Sequence, residues 1–517
     1  MVFDPSPPRL LPSLALGSLL LLAPDARAQS YVALMEGQVA TPLRGRFNTV
    51  PVLHSNQPEE VEGPGLLIST IPGVAMAAET GEAVEMPAYT FNGEFGLHLH
   101  HKYFPPYRAS ISPSRRRSEL TLATILVNPG NQPVHVQFSA GAVRNSFEAP
   151  YLANHLLGVK PLGPRPWNTG PGDATAVQLL RGRLDPKLTD TITIPARQRV
   201  VLFQTALPAL GIANALLKGR SDGPLQIAVV AAKDPEGDED IFAVLDRRLL
   251  APGRVYLRRI SEIQAGTIFS RVGGVALGDR YEASLQHDLT RQGPLHVPLT
   301  STRRTHFGTG EVQVNPLATR VVDSSVDNVG TYGVRFDVDL TLTGQGPHDL
   351  VLSHPSPLGG RPFTAFRGSM EIRTPEGLQS LHVGLRSGQS LSLTQLNLQP
   401  GQKTPLRISL VYPADSTPGH LIRVGPARHL AQLQEQERRQ ELARLNRGVT
   451  PLPPPPAVEE GGAAPANPAP PATGVLPPAR PRLPTPPPPP TPGRAPRPAP
   501  PPLPNGPPPV LPRHSPH

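Results

Sequence analysis

Proline is the residue that most limits what this chain can fold into. It occupies 70 of 517 positions. Its ring removes a backbone donor and clashes with the preceding turn, so a long helical bundle is excluded. The prolines are unevenly placed. Residues 449–517 hold 30 of them, with unbroken runs at 453–456 and 486–490 and no aromatic residue. Such a stretch has nothing to bury and is expected to stay solvated and disordered, largely as polyproline II. At about 3.1 Å per residue its reach is at most about 200 Å. It reads either as a stiff spacer towards acidic wall polymer or as a tolerated appendage.

The other end of the chain reads as a targeting segment. Residues 10–23 are apolar, Arg9 precedes them, and Ala26-Arg27-Ala28 follows as a small-x-small cleavage site. The apolar core is short for a bilayer span, which needs roughly 20 residues. Residues 1–28 are therefore read as a signal peptide, with Gln29 as the mature N-terminus. No other stretch is long and apolar enough to span a membrane. The expected location is outside the cytoplasm: periplasm, outer cell surface or extracellular.

Between these ends the signals are those of strands. Residues 120–127 and 134–138 flank Asn128-Pro129-Gly130-Asn131 and read as a hairpin, and 191–194 with 199–203 as a second. Residues 225–232 form an apolar run. From Tyr332 to Thr343, apolar residues alternate with polar ones, as in a strand with one wet face. The fold class expected is mainly β, with two β-sandwich-like units at 29–261 and 266–425. Residues 427–447 lack Gly and Pro, follow Pro426, precede Gly448 and place Glu435 four residues before Arg439. They are predicted to form a short charged helix.

Composition removes several functional classes. The chain has no cysteine, which excludes disulfide scaffolds, thiolate zinc sites and cysteine nucleophiles. Net charge is +9 and rests on arginine, since only six of the 49 basic residues are lysine. The arginines are scattered, and nothing beside them would read a groove or a base, so nucleic acid is not expected as a partner. An acidic wall or extracellular polysaccharide fits the charge.

Several short segments occur in a familiar order. They are 50–59 (VPVLHSNQPE), 65–70 (GLLIST), 308–310 (GTG), 328–334 (NVGTYGV), 366–368 (FRG) and 412–418 (YPADSTP). The pattern resembles a cyanobacterial family of secreted proteins that carries only a domain-of-unknown-function name, over about residues 40–425. The resemblance implies a secreted bacterial protein and supplies no activity and no site residues.

Candidate chemistry is sparse. In Gly96-Leu97-His98-Leu99-His100-His101, a strand would put His98 and His100 on one face, where two imidazoles can grip a transition metal given a third ligand. The plainer reading is a partly exposed strand end. Asp234, Glu236 and Asp238 lie in the acidic DPEGDED run and offer hard oxygens to Ca²⁺. The plainer reading there is a solvated turn between strands at 225–232 and 241–245. Tyr103, Tyr107 and Trp167 are the aromatic platforms available to a sugar face, and equally core plugs and loop anchors. No nucleophile elbow, phosphate-binding lysine loop or dinucleotide fingerprint is present.

The function expected is that of an exported, non-enzymatic envelope or surface protein, structural or adhesive, in contact with anionic polysaccharide. The alternatives are a polysaccharide-active enzyme on the same scaffold and a metal-binding periplasmic sensor on His98 and His100.

Overall fold

One strand organises the first half of the protein. Ile212–Ala232 runs for 21 residues and absorbs the apolar run read at 225–232. Its first half pairs with Phe91–Tyr103 on one side and Val134–Asn145 on the other. Its second half pairs with Glu119–Val127 and Gly65–Ser69. The register breaks between Ser221 and Leu225, at Asp222-Gly223-Pro224, so the two halves serve different layers. Side chains alternate along it: Ala213, Ala215, Leu217, Leu225, Ile227, Val229 and Ala231 enter one core with Phe95, Leu122 and Phe138. The computed structural model describes residues 32–35, 37–106, 119–152, 157–163, 169–266, 271–357 and 361–447. The expected signal peptide and proline-rich tail lie outside these residues.

The second core is a sandwich. A seven-stranded sheet includes Arg280–Asp288, Arg335–Thr343, Thr404–Val411, Thr364–Thr374 and Gly377–Arg386. It faces a four-stranded sheet of Leu295–Leu299, His420–Pro426, Gly346–Ser353 and Ser390–Leu398. Phe336, Val338, Leu340 and Leu342 fill the space between, as the alternation at 332–343 requires. The opposite face is not wholly wet. Asp337 is 1% exposed there and is held by Arg280, Arg335, Arg407 and Ser409.

The described protein is therefore mainly β, and it ends in the helix Ala427–Arg447. Its Arg439 Nε donates to Glu435 Oε1 at 2.7 Å, the pair read from the sequence. Leu430 seats the helix against Val32, Leu34, Met35 and Phe307.

Two expected hairpins are not hairpins. Glu119–Val127 pairs with Arg199–Pro208 and Ile212–Ala232, whereas Val134–Asn145 pairs with Thr191–Ile194 and Ile212–Ala232. The turns at 128–133 and 195–198 carry the chain between layers instead. Asn128 Nδ2 donates to the carbonyls of Gln132, Ile194 and Pro195, which staples the two turns together. Period-two patterning fixes which face is buried and leaves the partner strand open.

Strands also cross the sequence boundary at 261–266. Gly273–Leu277 pairs with Pro51–Ser55, Arg46–Phe47 pairs with Arg280–Asp288, and Gly158–Pro161 pairs with Gly377–Arg386. The described residues make one compact unit. Among the described residues no helix is long and apolar enough to cross a membrane.

Candidate functional site

Alternation along Phe91–Tyr103 sets His98, His100 and Lys102 on the face that the helix Pro171–Leu180 covers. Register places Leu216 opposite His98 and Asn214 opposite His100. Thr175 of the helix donates its one hydroxyl proton to the carbonyls of Gly172 and Pro171, at 3.0 and 3.1 Å. It must then accept from Asn214 Nδ2, at 2.5 Å. That fixes the amide, and Asn214 Oδ1 receives the Nδ1–H of His100 at 2.9 Å. His100 Nε2 is left facing Asp415 Oδ1, 3.6 Å away.

Asp415 sits on a loop with φ of 67°, a left-handed conformation uncommon outside glycine and often held at functional sites. The loop is pressed onto the helix start. A Cβ at Gly172 would come within 2.9 Å of the Ala414 carbonyl, so only glycine admits this approach. The Asp415 carboxylate accepts from the Tyr151 hydroxyl and lies 3.8 Å from Lys102 Nζ. Lys102 also pairs with Glu59 at 2.6 Å, and Arg271 pairs with the other Glu59 oxygen. Arg367 lies over the Tyr151 ring at 4.5 Å, and its Nε is buried without a partner. The Tyr332 hydroxyl donates to the Ser416 carbonyl at 2.9 Å. With Asn56 and Thr417, Glu59, His100, Lys102, Arg271, Tyr332, Arg367 and Asp415 line a cavity of about 340 Å³, and Tyr151 supports it through Asp415 and Arg367.

The cavity is cationic, with Lys102, Arg271 and Arg367 against Glu59 and Asp415. Burial pushes the Glu59 carboxyl up, but the charges of His100, Arg271 and Lys102 outweigh it and hold it below the usual carboxylate range. Asp415 is also pushed up by burial and brought below that range by His100, Lys102, Tyr151 and Arg367. Lys102 loses to burial and gains more from Glu59 and Asp415, so its ammonium is held more firmly than usual. Burial, reinforced by Asp415, keeps the Tyr151 phenol protonated. Burial likewise raises Tyr332 to about 12. At neutral pH two carboxylates therefore face three fixed cations and the neutral Tyr332 phenol, and the neutral Tyr151 phenol donates to Asp415.

The residues singled out in the sequence fare differently. His100 lines the cavity. His98 does not share a ligand with it: its Nδ1 lies 3.0 Å from His54 Nδ1, in the interior. Both are buried, at 0% and 2% exposure, where a partly exposed strand end was expected. Tyr332 and Gly333 pack against His98, and Asn214, Thr175 and Asp415 close over His100. Asp234, Glu236 and Asp238 are exposed on the far side of the 225–232 run. Residues 241–245 are not a strand; they belong to the helix Asp238–Asp246. Asp238, Glu239 and Asp240 occupy its first turn, where carboxylates complement the helix dipole, and Ile241, Phe242 and Leu245 bury its inner face. Among the described residues no three His, Cys, Asp or Glu side chains form a metal-holding group. Tyr103 packs half-buried against the first core. Tyr107 and Trp167 lie outside the described residues.

Sequence reasoning missed Glu59, Lys102, Tyr151, Arg271, Tyr332, Arg367 and Asp415 as site residues. A signal for four of them was present. The segments 50–59, 328–334, 366–368 and 412–418 each deliver a side chain to this one cavity. Residues 38–426 match a family model described as "Protein of unknown function (DUF3370)". No curated protein matches the chain.

Proposed function

The chain belongs to the DUF3370 family, and from its cavity we propose a non-enzymatic binding protein for acidic saccharides, exported and displayed at the cell envelope or surface. The observation that carries this reading is the cavity's inventory: Lys102, Arg271 and Arg367 against Glu59 and Asp415, with Asn56 and Thr417 between them. Charged and hydroxyl-bearing groups in a concave site suit a ligand rich in hydroxyls and carrying an acid group. Arg367, whose Nε lacks a partner, is assigned to the acid of the ligand. The carboxylates receive its hydroxyls.

The hydrolytic alternative is weaker on the same geometry. Glycoside cleavage by a carboxyl pair needs one member protonated as general acid. Glu59 and Asp415 both have cationic neighbours that keep them ionised, so neither is set up for that role. Export rests on the apolar segment at residues 10–23 and the Ala26-Arg27-Ala28 site that follows it. The net charge of +9 favours contact with anionic wall or extracellular polysaccharide.

Calorimetric titration with trigalacturonate and with uncharged maltotriose tests the reading. Trigalacturonate is expected to bind and to weaken as salt rises, because the attraction is partly screened. Arg367→Ala should lower its affinity about 10- to 100-fold, the worth of a hydrogen bond to a charged group. Equal binding of maltotriose, or an Arg367→Ala protein with unchanged affinity, would sink the proposal.

A further inference from the structure

The cavity has an apolar neighbour. Arg271, Tyr332 and Thr417 line both it and a second cleft of about 470 Å³. The second cleft is walled by Ile263, Val314, Val326, Val329 and Pro418. Its rim carries Arg303, which lies 3.7 Å from Asp327, and Arg304, which donates to the Gly266 carbonyl at 3.2 Å. A polar, cationic chamber thus shares a wall with an apolar one that two further arginines flank. Val326 remains 43% exposed in the cleft although it is a large aliphatic side chain.

A simple sugar acid fills only the first chamber. Resting on the acidic-saccharide reading, we infer that the ligand also carries an apolar substituent, an alkyl or acyl chain. Its acid group lies by Lys102, Arg271 and Arg367, and its chain lies in the cleft of Val314, Val326 and Val329. Each methylene transferred from water to such a wall adds to affinity, and the guanidinium rim favours an apolar chain tethered to an anion over a free hydrocarbon.

The test compares three probes below their micelle concentrations on the purified protein: methyl β-glucuronide, octyl β-glucuronide and octyl β-glucoside. Octyl glucuronide is expected to bind at least about 30-fold more tightly than methyl glucuronide, allowing for the entropy of ordering the chain. Val326→Asn, at an already exposed position and without added charge, should erase most of that gain and leave methyl glucuronide affinity unchanged. Val314→Ser is the second variant should the first disturb its loop, with the same expectation. Equal affinity for the octyl and methyl glucuronides overturns this inference and leaves the acidic pocket standing. Octyl glucoside binding as tightly as octyl glucuronide overturns it as well, since the chain would then bind without the anion. No binding of either glucuronide overturns both readings.

Discussion

Acidification from pH 7.5 to pH 5 is expected to remove at least about 6 kcal/mol of folding stability. The cause is a set of histidines buried in the neutral form. Burial lowers His54 and His101 to about 3 and His296 to about 4, and it holds His98 and His420 well below the ordinary 6.5. His54 and His98 face each other through their Nδ1 atoms at 3.0 Å, which allows one hydrogen between them and not two. The folded value of each group lies below its unfolded one. Its contribution is therefore complete above about pH 6.5 and is lost as pH falls towards the folded value. At pH 5 His54, His101 and His296 each cost about 2 kcal/mol, and with His98 and His420 acting in the same direction the loss rivals the whole stability of a typical domain. Thermal melts should show the transition falling steeply between pH 6.5 and 5, with the protein unfolded near room temperature at about pH 5 or just below. A melting temperature that is flat over this range would show that these imidazoles are hydrated or charged in the folded protein.

Asp323→Asn is expected to destabilise the protein by about 3–5 kcal/mol, the cost of stranding a buried cation. Arg254 and Asp323 are both fully enclosed, and their Nε and Oδ2 atoms lie 3.2 Å apart. Arg254 Nη1 also donates to the Gln57 carbonyl at 2.9 Å, and Gln57 Nε2 donates to Asp323 Oδ2 at 2.9 Å. The pair therefore braces the segment that delivers Glu59 to the cavity. Replacing both partners by apolar residues, Arg254→Met with Asp323→Leu, should cost clearly less than Asp323→Asn alone, because no charge is then left unpaired. Urea denaturation of the three proteins measures this. A double variant as unstable as the single one would mean that the backbone contacts of Arg254, rather than its charge, hold the segment.

How much of this was legible beforehand depended on the range of the information. The strand at 335–343 and the helix at 427–447 could be read because their signals are local: alternation in one, capping and an i,i+4 pair in the other. The helix Asp238–Asp246 was missed because its apolar residues, 241, 242 and 245, fit a short strand as well over so few positions. Strand partners were misread wherever a turn looked like a hairpin, since the bent strand Ile212–Ala232 claims both neighbours and nothing at residues 128–133 announces it. The site was the least legible part. His100 drew notice because histidines cluster there, yet Lys102, two residues further on the same face, did not. Glu59, Arg367 and Asp415 are single charged residues in separate segments, and only the topology brings the two carboxylates to the Lys102 ammonium and Arg367 to the same cavity.

The most direct measurement is a crystal structure of the protein with trigalacturonate at saturating concentration. The account predicts a sugar ring in the cavity among His100, Arg367 and Asp415, with its carboxylate on the Arg367 guanidinium and its hydroxyls on Glu59 and Asp415. A cavity holding only water while the saccharide occupies another surface, or is absent altogether, would contradict it.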